Sequence, residues 1–183
     1  MKIAITGTHS SGKTSLAKEI SSACGISYVQ GDKASEIFLA HFPDKRLDEL
    51  SVEDHWRLQN MMFENFNQAL ELKDDCVTDG LHLTCIPYGN YFSNDKIQLI
   101  SGYKEFEESV MVQSNKFDLI FYLPPEIELE LGGIRPSNNQ LRLDIDKQIK
   151  KLLKNFKYKT LTGSVRERLE SARKEINMFC QLG

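Results

Sequence analysis

Gly7-Thr8-His9-Ser10-Ser11-Gly12-Lys13-Thr14 satisfies the spacing G-x-x-x-x-G-K-[ST] at every fixed position. A triphosphate presents oxygens on several sides at once, and consecutive backbone N–H groups in a tight loop can meet them. Gly7 and Gly12 let such a loop curl and let its backbone approach the phosphates. Lys13 can reach the β- and γ-phosphates, and the Thr14 hydroxyl is placed for Mg²⁺. The flanks agree. Ile3-Ala4-Ile5 reads as a strand buried on both faces, and Leu16, Ala17, Ile20 and Ala23 fall at helical spacing. A helix opening at the loop turns its positive end toward the phosphates. Gly7 through Ser15 is therefore expected to bind nucleotide, with His9 a loop residue at a variable position rather than a base.

Three other places could do chemistry with that loop. Asp79 ends an apolar run, where a carboxylate can hold Mg²⁺ or accept a proton from an attacking hydroxyl. Arg135 and Arg142 lie in or beside a polar stretch containing Gly132-Gly133, and a mobile lid carrying arginines can neutralise a transferring phosphoryl group and exclude water. Asp32 and the segment Leu81 to Ser93, with Tyr88, Tyr91 and Phe92, are positioned to line an acceptor pocket or to pack in the core. The lysines between Lys147 and Lys159 could meet nucleic-acid phosphates, but their helical spacing favours a solvated face.

The elements that must position these residues alternate. Strands are expected at Ile3–Ile5, Ile26–Gln30, Cys76–Asp79, Phe117–Leu123 and Tyr158–Thr162. Helices are expected from the nucleotide loop to Cys24, over Ala34–His41, from Val52 to about Lys73, over Asn94–Asn115 with a break at Gly102, over Leu141–Phe156, and after Gly163-Ser164. The last helix shows an apolar stripe of Val165, Leu169, Ala172, Ile176 and Phe179, and Leu81–Ser93 reads as irregular. Strands alternating with helices imply right-handed crossovers and a parallel sheet covered on both faces. Ligands of such sheets bind beyond the C-terminal strand ends, which is where all the residues named above fall.

Composition sets outer limits. The 183 residues suit one domain, and 40% hydrophobic with 27% charged residues is ordinary for a globular chain. A net charge of −3 disfavours a general nucleic-acid coat. No apolar run reaches transmembrane length, and the N-terminus enters a strand at once, so neither a membrane anchor nor a signal peptide is expected. Cys24, Cys76, Cys85 and Cys180 show no metal-ligand spacing and read as reduced, partly buried thiols of a cytoplasmic protein.

The chain resembles small ATP-binding, kinase-like proteins related to the NadR-type ribosylnicotinamide kinase domain, grouped as a minor AAA domain family. The resemblance spans nearly the whole length. It rests on Gly7 through Thr14, on Thr78-Asp79, and on Phe117-Asp118-Leu119-Ile120-Phe121-Tyr122-Leu123-Pro124-Pro125-Glu126. It continues in Gly133-Ile134-Arg135-Pro136, Arg142, and Leu161-Thr162-Gly163-Ser164 before a Glu- and Arg-rich helix. It departs in carrying Gly80-Leu81-His82 where related kinases place an Arg after the strand-three Asp. The resemblance implies a single α/β domain over 1–183, a three-layer P-loop NTPase fold like that of nucleoside and nucleotide kinases, with a five-stranded parallel sheet and a lid around 126–142. It also implies an ATP- and Mg²⁺-dependent phosphotransferase acting on a nucleoside, nucleotide or related metabolite, with Lys13, Asp79, Arg135 and Arg142 as catalytic residues and Thr14 and Asp79 toward the metal. A P-loop ATPase or nucleotide-sensing module with a protein partner, or a polynucleotide-end kinase, would use the same motif.

Overall fold

A computed structural model of the chain describes residues 1–71, 73–127 and 139–182. Five strands form one sheet: β1 (Lys2–Thr6), β2 (Ser27–Val29), β3 (Cys76–Thr78), β4 (Leu119–Tyr122) and β5 (Lys159–Thr160). The helices are α1 (Lys13–Cys24), α2 (Ala34–His41), α3 (Val52–Glu71), α4 (Cys85–Phe92), α5 (Tyr103–Ser114), α6 (Asn139–Leu153) and α7 (Val165–Leu182), with short 3₁₀ turns at Leu47–Glu49, His82–Thr84 and Lys96–Leu99. The strand order is β2-β3-β1-β4-β5, and every pairing is parallel. β1 lies in the middle, with Ile3 opposite Val77 on one side and Leu119 on the other.

Alternation along β1 builds the three layers. Ile3 and Ile5 face one side and pack with Leu16, Ala17 and Ile20 of α1 and Ala172 and Ile176 of α7. Ala4 faces the other side, where α3, α4, α5 and α6 supply Phe63, Ile86, Val110, Ile145 and Ile149. A parallel sheet covered on both faces needs apolar residues at successive positions, which is what the run Ile3-Ala4-Ile5 provides. The P-loop NTPase fold expected from the sequence is thus the fold observed.

Three local expectations are corrected. Leu81–Ser93 is not irregular, because Cys85–Phe92 is helical. Pro87 stands in its first turn, where a missing N–H costs nothing, and Gly89 lets Gln59 of α3 come close: an added Cβ would lie 3.0 Å from Gln59 Cγ. Residues 85–90 are all buried, so this helix carries no amphipathic period to read. β5 covers only Lys159–Thr160. On α7 the buried positions are Arg168, Ala172 and Ile176, four apart, while Val165 and Phe179 of the expected apolar face are exposed, as is Cys180, expected to be partly buried. The Gly102 break is present, with φ +91° at the N-cap of α5. All four cysteines are free; Cys76 and Cys85 are buried, and burial pushes the Cys85 thiol up to about 12.

Candidate functional site

The nucleotide loop joins β1 to α1, so its shape is set by the sheet behind it and the helix ahead. Gly7 has φ +144°, and a Cβ there would sit 2.4 Å from the Leu123 carbonyl oxygen at the end of β4. Only glycine fits that close approach. Ser10 and Gly12 also have positive φ, at 54° and 85°, and Gly12 is the N-cap of α1. Inside the loop the Thr8 carbonyl accepts from the Ser11 hydroxyl (2.9 Å) and from Lys13 Nζ.

Three helices hold this loop from outside. Tyr88 of α4 places its hydroxyl 3.2 Å from the His9 backbone N–H and 3.1 Å from His9 Nδ1. That ring is therefore a buried support of the loop, in the core role the sequence left open. Arg142 of α6 donates from Nη1 to the Ile127 carbonyl (2.6 Å) and from Nη2 to the Ser10 carbonyl (3.1 Å). Its side chain is not at the edge of a solvated stretch: the residue is 2% exposed and lies within the first turns of α6. Burial pulls this guanidinium below its ordinary value, opposed by Asp146 and Tyr88 nearby. Asp146, one turn further on, accepts from the Tyr122 hydroxyl (2.6 Å) and pairs with Lys150 (2.9 Å).

Arg168 of α7 is the third holder, and sequence reasoning missed it. It is 1% exposed and donates from Nη1 to the Ser11 carbonyl (2.8 Å) and from Nη2 to Glu126 Oε2 (3.0 Å). The same Glu126 oxygen accepts from the Gly163 N–H (3.0 Å). A signal was present: Arg168, Ala172 and Ile176 form an i, i+4, i+8 row, which places a cation on the buried stripe of α7.

At the mouth of the loop, the Thr14 hydroxyl donates to the Asp79 carboxylate, just beyond β3. The two residues expected to face Mg²⁺ are thus brought together. A hydroxyl and a carboxylate fit this cation, which keeps most of its shell for phosphate and water. Among the described residues no group of three or more His, Cys, Asp or Glu gathers as a metal cage. The Tyr28 hydroxyl, on neighbouring β2, was not foreseen here: burial and then the Asp79 charge push its phenol well above its usual value. It donates to Gln30 Oε1 (3.0 Å).

Asp32 lies beyond the end of β2, beside β3, where Val29 pairs with Thr78. Asn65 of α3 clasps it twice: Asp32 N–H donates to Asn65 Oδ1, and Asn65 Nδ2 donates to Asp32 Oδ2, both 2.7 Å. Asp32, Glu36, Ile37, His41, Met61 and Asn65 line an open cleft of about 330 Å³ between α2 and α3. Beneath Asp79-Gly80, the Phe66 ring packs against Gly80 and against His82 (4.6 Å between centroids). His82 is buried among Phe63, Phe66 and Phe117, and desolvation lowers its imidazole to about 3. Of the lysines weighed for nucleic acid, Lys147, Lys150 and Lys159 pair with Asp144, Asp146 and Glu175 at 3.2, 2.9 and 2.8 Å, as a solvated face does. Arg135 and residues 128–138 of the expected lid lie outside the described residues.

The sheet order, the glycine-bound loop and the buried supports define a fold of the P-loop kinase kind. The chain belongs to the AAA domain family, whose model matches residues 2–168. A search of curated proteins gave no match. Among solved structures, the chain is similar to a deoxyadenosine kinase from M. mycoides with the products dCMP and dCDP bound, at 19% identity and a TM-score of 0.71, covering 97% of this chain and 99% of that one. The same enzyme with dCTP bound matches at 22% identity and a TM-score of 0.69, covering 97% and 100%. A NadR protein in complex with NR matches at 16% identity and a TM-score of 0.64, covering 89% of this chain; the chain spans 44% of that protein's length. At these identities the likeness establishes the fold.

Proposed function

We propose that the protein is an ATP- and Mg²⁺-dependent phosphotransferase acting on a hydroxyl of an unphosphorylated small acceptor of the nucleoside kind. The observation that carries the reading is the meeting of Thr14 and Asp79 at the mouth of the phosphate loop, with Asp32 beyond the adjoining strand end. Gly7 through Ser15 would hold the triphosphate, with Lys13 moving from the Thr8 carbonyl to phosphate oxygens. Mg²⁺, held toward the Thr14 and Asp79 oxygens, would neutralise phosphate charge. Because Asp79 is engaged with Thr14, the carboxylate left to take the acceptor's proton is Asp32, oriented by Asn65.

The acceptor class follows from charge. The cleft beside Asp32 carries two carboxylates, Asp32 and Glu36, and no lysine or arginine among the described residues lining it. A phosphate monoester would meet repulsion there, whereas a neutral or cationic polyol would not. Neighbours of the same fold carry dCMP, dCDP, dCTP or NR in their descriptions, which supports a ligand built on a nucleoside. Arg135, in a lid within the 126–142 stretch between the fixed Glu126 and α6, would close on the transferring phosphoryl group and exclude bulk water. No helix among the described residues is long and apolar enough to cross a membrane; a cytoplasmic setting is part of the proposal because the reaction would draw on ATP.

The test is a phosphotransfer screen with γ-labelled ATP against nucleosides, nucleoside monophosphates and oligonucleotides, beside a hydrolysis control. Label in a nucleoside-class acceptor is the expected result. Label only in inorganic phosphate, or only in oligonucleotides, would overturn it.

A further inference from the structure

Two arginines are almost wholly withdrawn from water against the outer side of the phosphate loop, and neither is explained by packing. Arg142 and Arg168 each bring a guanidinium to one loop carbonyl, that of Ser10 and that of Ser11. The Nε atoms of both are buried without a hydrogen-bond partner, so each cation is held at a real desolvation cost. Such an arrangement persists when the two contacts it secures matter.

The two carbonyls belong to consecutive peptide units. In a trans peptide the N–H points opposite to the C=O, and the described chain has no cis bond. An arginine that pulls the Ser10 oxygen outward therefore aims the Ser11 N–H inward. One that pulls the Ser11 oxygen outward aims the Gly12 N–H inward. A charged donor on a carbonyl also polarises the amide, which makes its N–H a stronger donor. Gly12, at φ +85°, is free to hold the required plane, and a Cβ on it would approach Arg168 Nη1 to 3.6 Å.

We infer that Arg168, together with Arg142, is a positioning residue that sets and polarises the Ser11 and Gly12 amides for phosphate, with Glu126 fixing Arg168 in place. Glu126 lies after β4 and also accepts from Gly163, after β5. The loops following β4 and β5 are thereby tied to the phosphate loop through one guanidinium. The inference rests on the reading of that loop as a phosphate site. It changes the part played by Arg142, which acts through the backbone and not by touching the phosphoryl group.

The experiment measures binding of ATP and of inorganic tripolyphosphate to the whole chain, with the Ser11 and Gly12 amide signals followed by NMR before ligand is added. In Arg168→Met the Gly12 amide proton should move upfield, and affinity for both ligands should fall about tenfold, the scale of a lost charge-assisted contact. Arg168→Lys, which keeps a charged donor, should recover part of both effects. Glu126→Gln changes a half-exposed side chain and so keeps the proposal testable even if Arg168→Met fails to fold; it should move the same amide in the same direction, with a two- to fivefold loss of affinity, about the effect of weakening one charged contact. A role confined to stability would lower the melting temperature while leaving the Gly12 signal and tripolyphosphate affinity of the folded variants unchanged, and that result would overturn the inference. Failure of the unsubstituted protein to bind either ligand would overturn the phosphate-site reading with it; normal binding there with equal binding in both variants overturns this inference alone.

Discussion

The two ends of the proposed site, the loop read as its phosphate end and the Asp32 cleft read as its acceptor end, are built differently. The phosphate loop is pinned from α4, α6 and α7 by Tyr88, Arg142 and Arg168, all buried. The acceptor end hangs on Asp32 and Asn65, whose mutual hydrogen bonds are exposed, beside an open cleft. Buried polar contacts are costly to break, so the phosphate end is held in one geometry. Exposed contacts exchange with water at little cost, so the acceptor end can be altered by single substitutions without endangering the fold. On the proposed reading, rigid phosphate binding and adjustable acceptor choice would be separated along the C-terminal end of one sheet.

The largest effects should come from charge at the phosphate end. Lys13→Ala should lower turnover with every acceptor by about a hundredfold or more, with the melting temperature unchanged, since Lys13 packs against no core. Asp79→Asn should lower kcat by about 10²–10³ with a smaller change in ATP affinity, because its charge matters most where phosphoryl charge is redistributed. If either variant keeps wild-type turnover in steady-state assays, the asymmetry between the two ends has no catalytic meaning.

Gly7→Ala asks how rigid the phosphate end is. With a Cβ driven to 2.4 Å from the Leu123 carbonyl at φ +144°, we expect a loss of about 3 kcal/mol by urea unfolding. A loss under about 1 kcal/mol would show a loop able to yield.

Acid should act on the packing beneath Asp79-Gly80, between the two ends. His82 has a folded pKa of about 3, below the unfolded value near 6.5, so the unfolded chain binds the proton first as pH falls. Stability is complete above about pH 6.5 and declines toward pH 3; by pH 4.5 the loss from this residue is about 2–3 kcal/mol. His55, also lowered by burial, acts in the same sense. His82→Leu should flatten the curve over that interval, and an unchanged pH dependence would remove His82 as its source.

The smallest effect is expected at the cleft. Asn65→Ala should cost about 1 kcal/mol of stability and raise the acceptor KM severalfold while leaving the ATP KM alone. A change confined to the ATP KM would merge the two ends that the contacts separate.

Much of this was legible in the chain because it is local. Gly7 through Thr14 is spelled within a single turn of backbone, and the strands announce themselves as short apolar runs. The supports of the loop were harder to read: Arg168 meets its partner across 157 residues, and its place four residues before Ala172 says that it is buried but not against what. α4 escaped for the opposite reason: buried on every side, it shows no contrast between faces. Arg142 was found by type, but its seat against Ser10 depends on where α6 docks, which no spacing encodes.

That long reach has a consequence during synthesis. A ribosome releases the nucleotide loop before its supports: the Leu123 carbonyl just after β4, which abuts Gly7, follows more than a hundred residues later, and α7 follows β4. Parallel pairing across such separations closes slowly. Until then the loop lacks the β4 backbone and the guanidinium contacts that shape it in the folded chain. On the proposed phosphate-site reading, nucleotide would stabilise molecules in which α7 has docked its Arg168 on the loop more than those in which it has not.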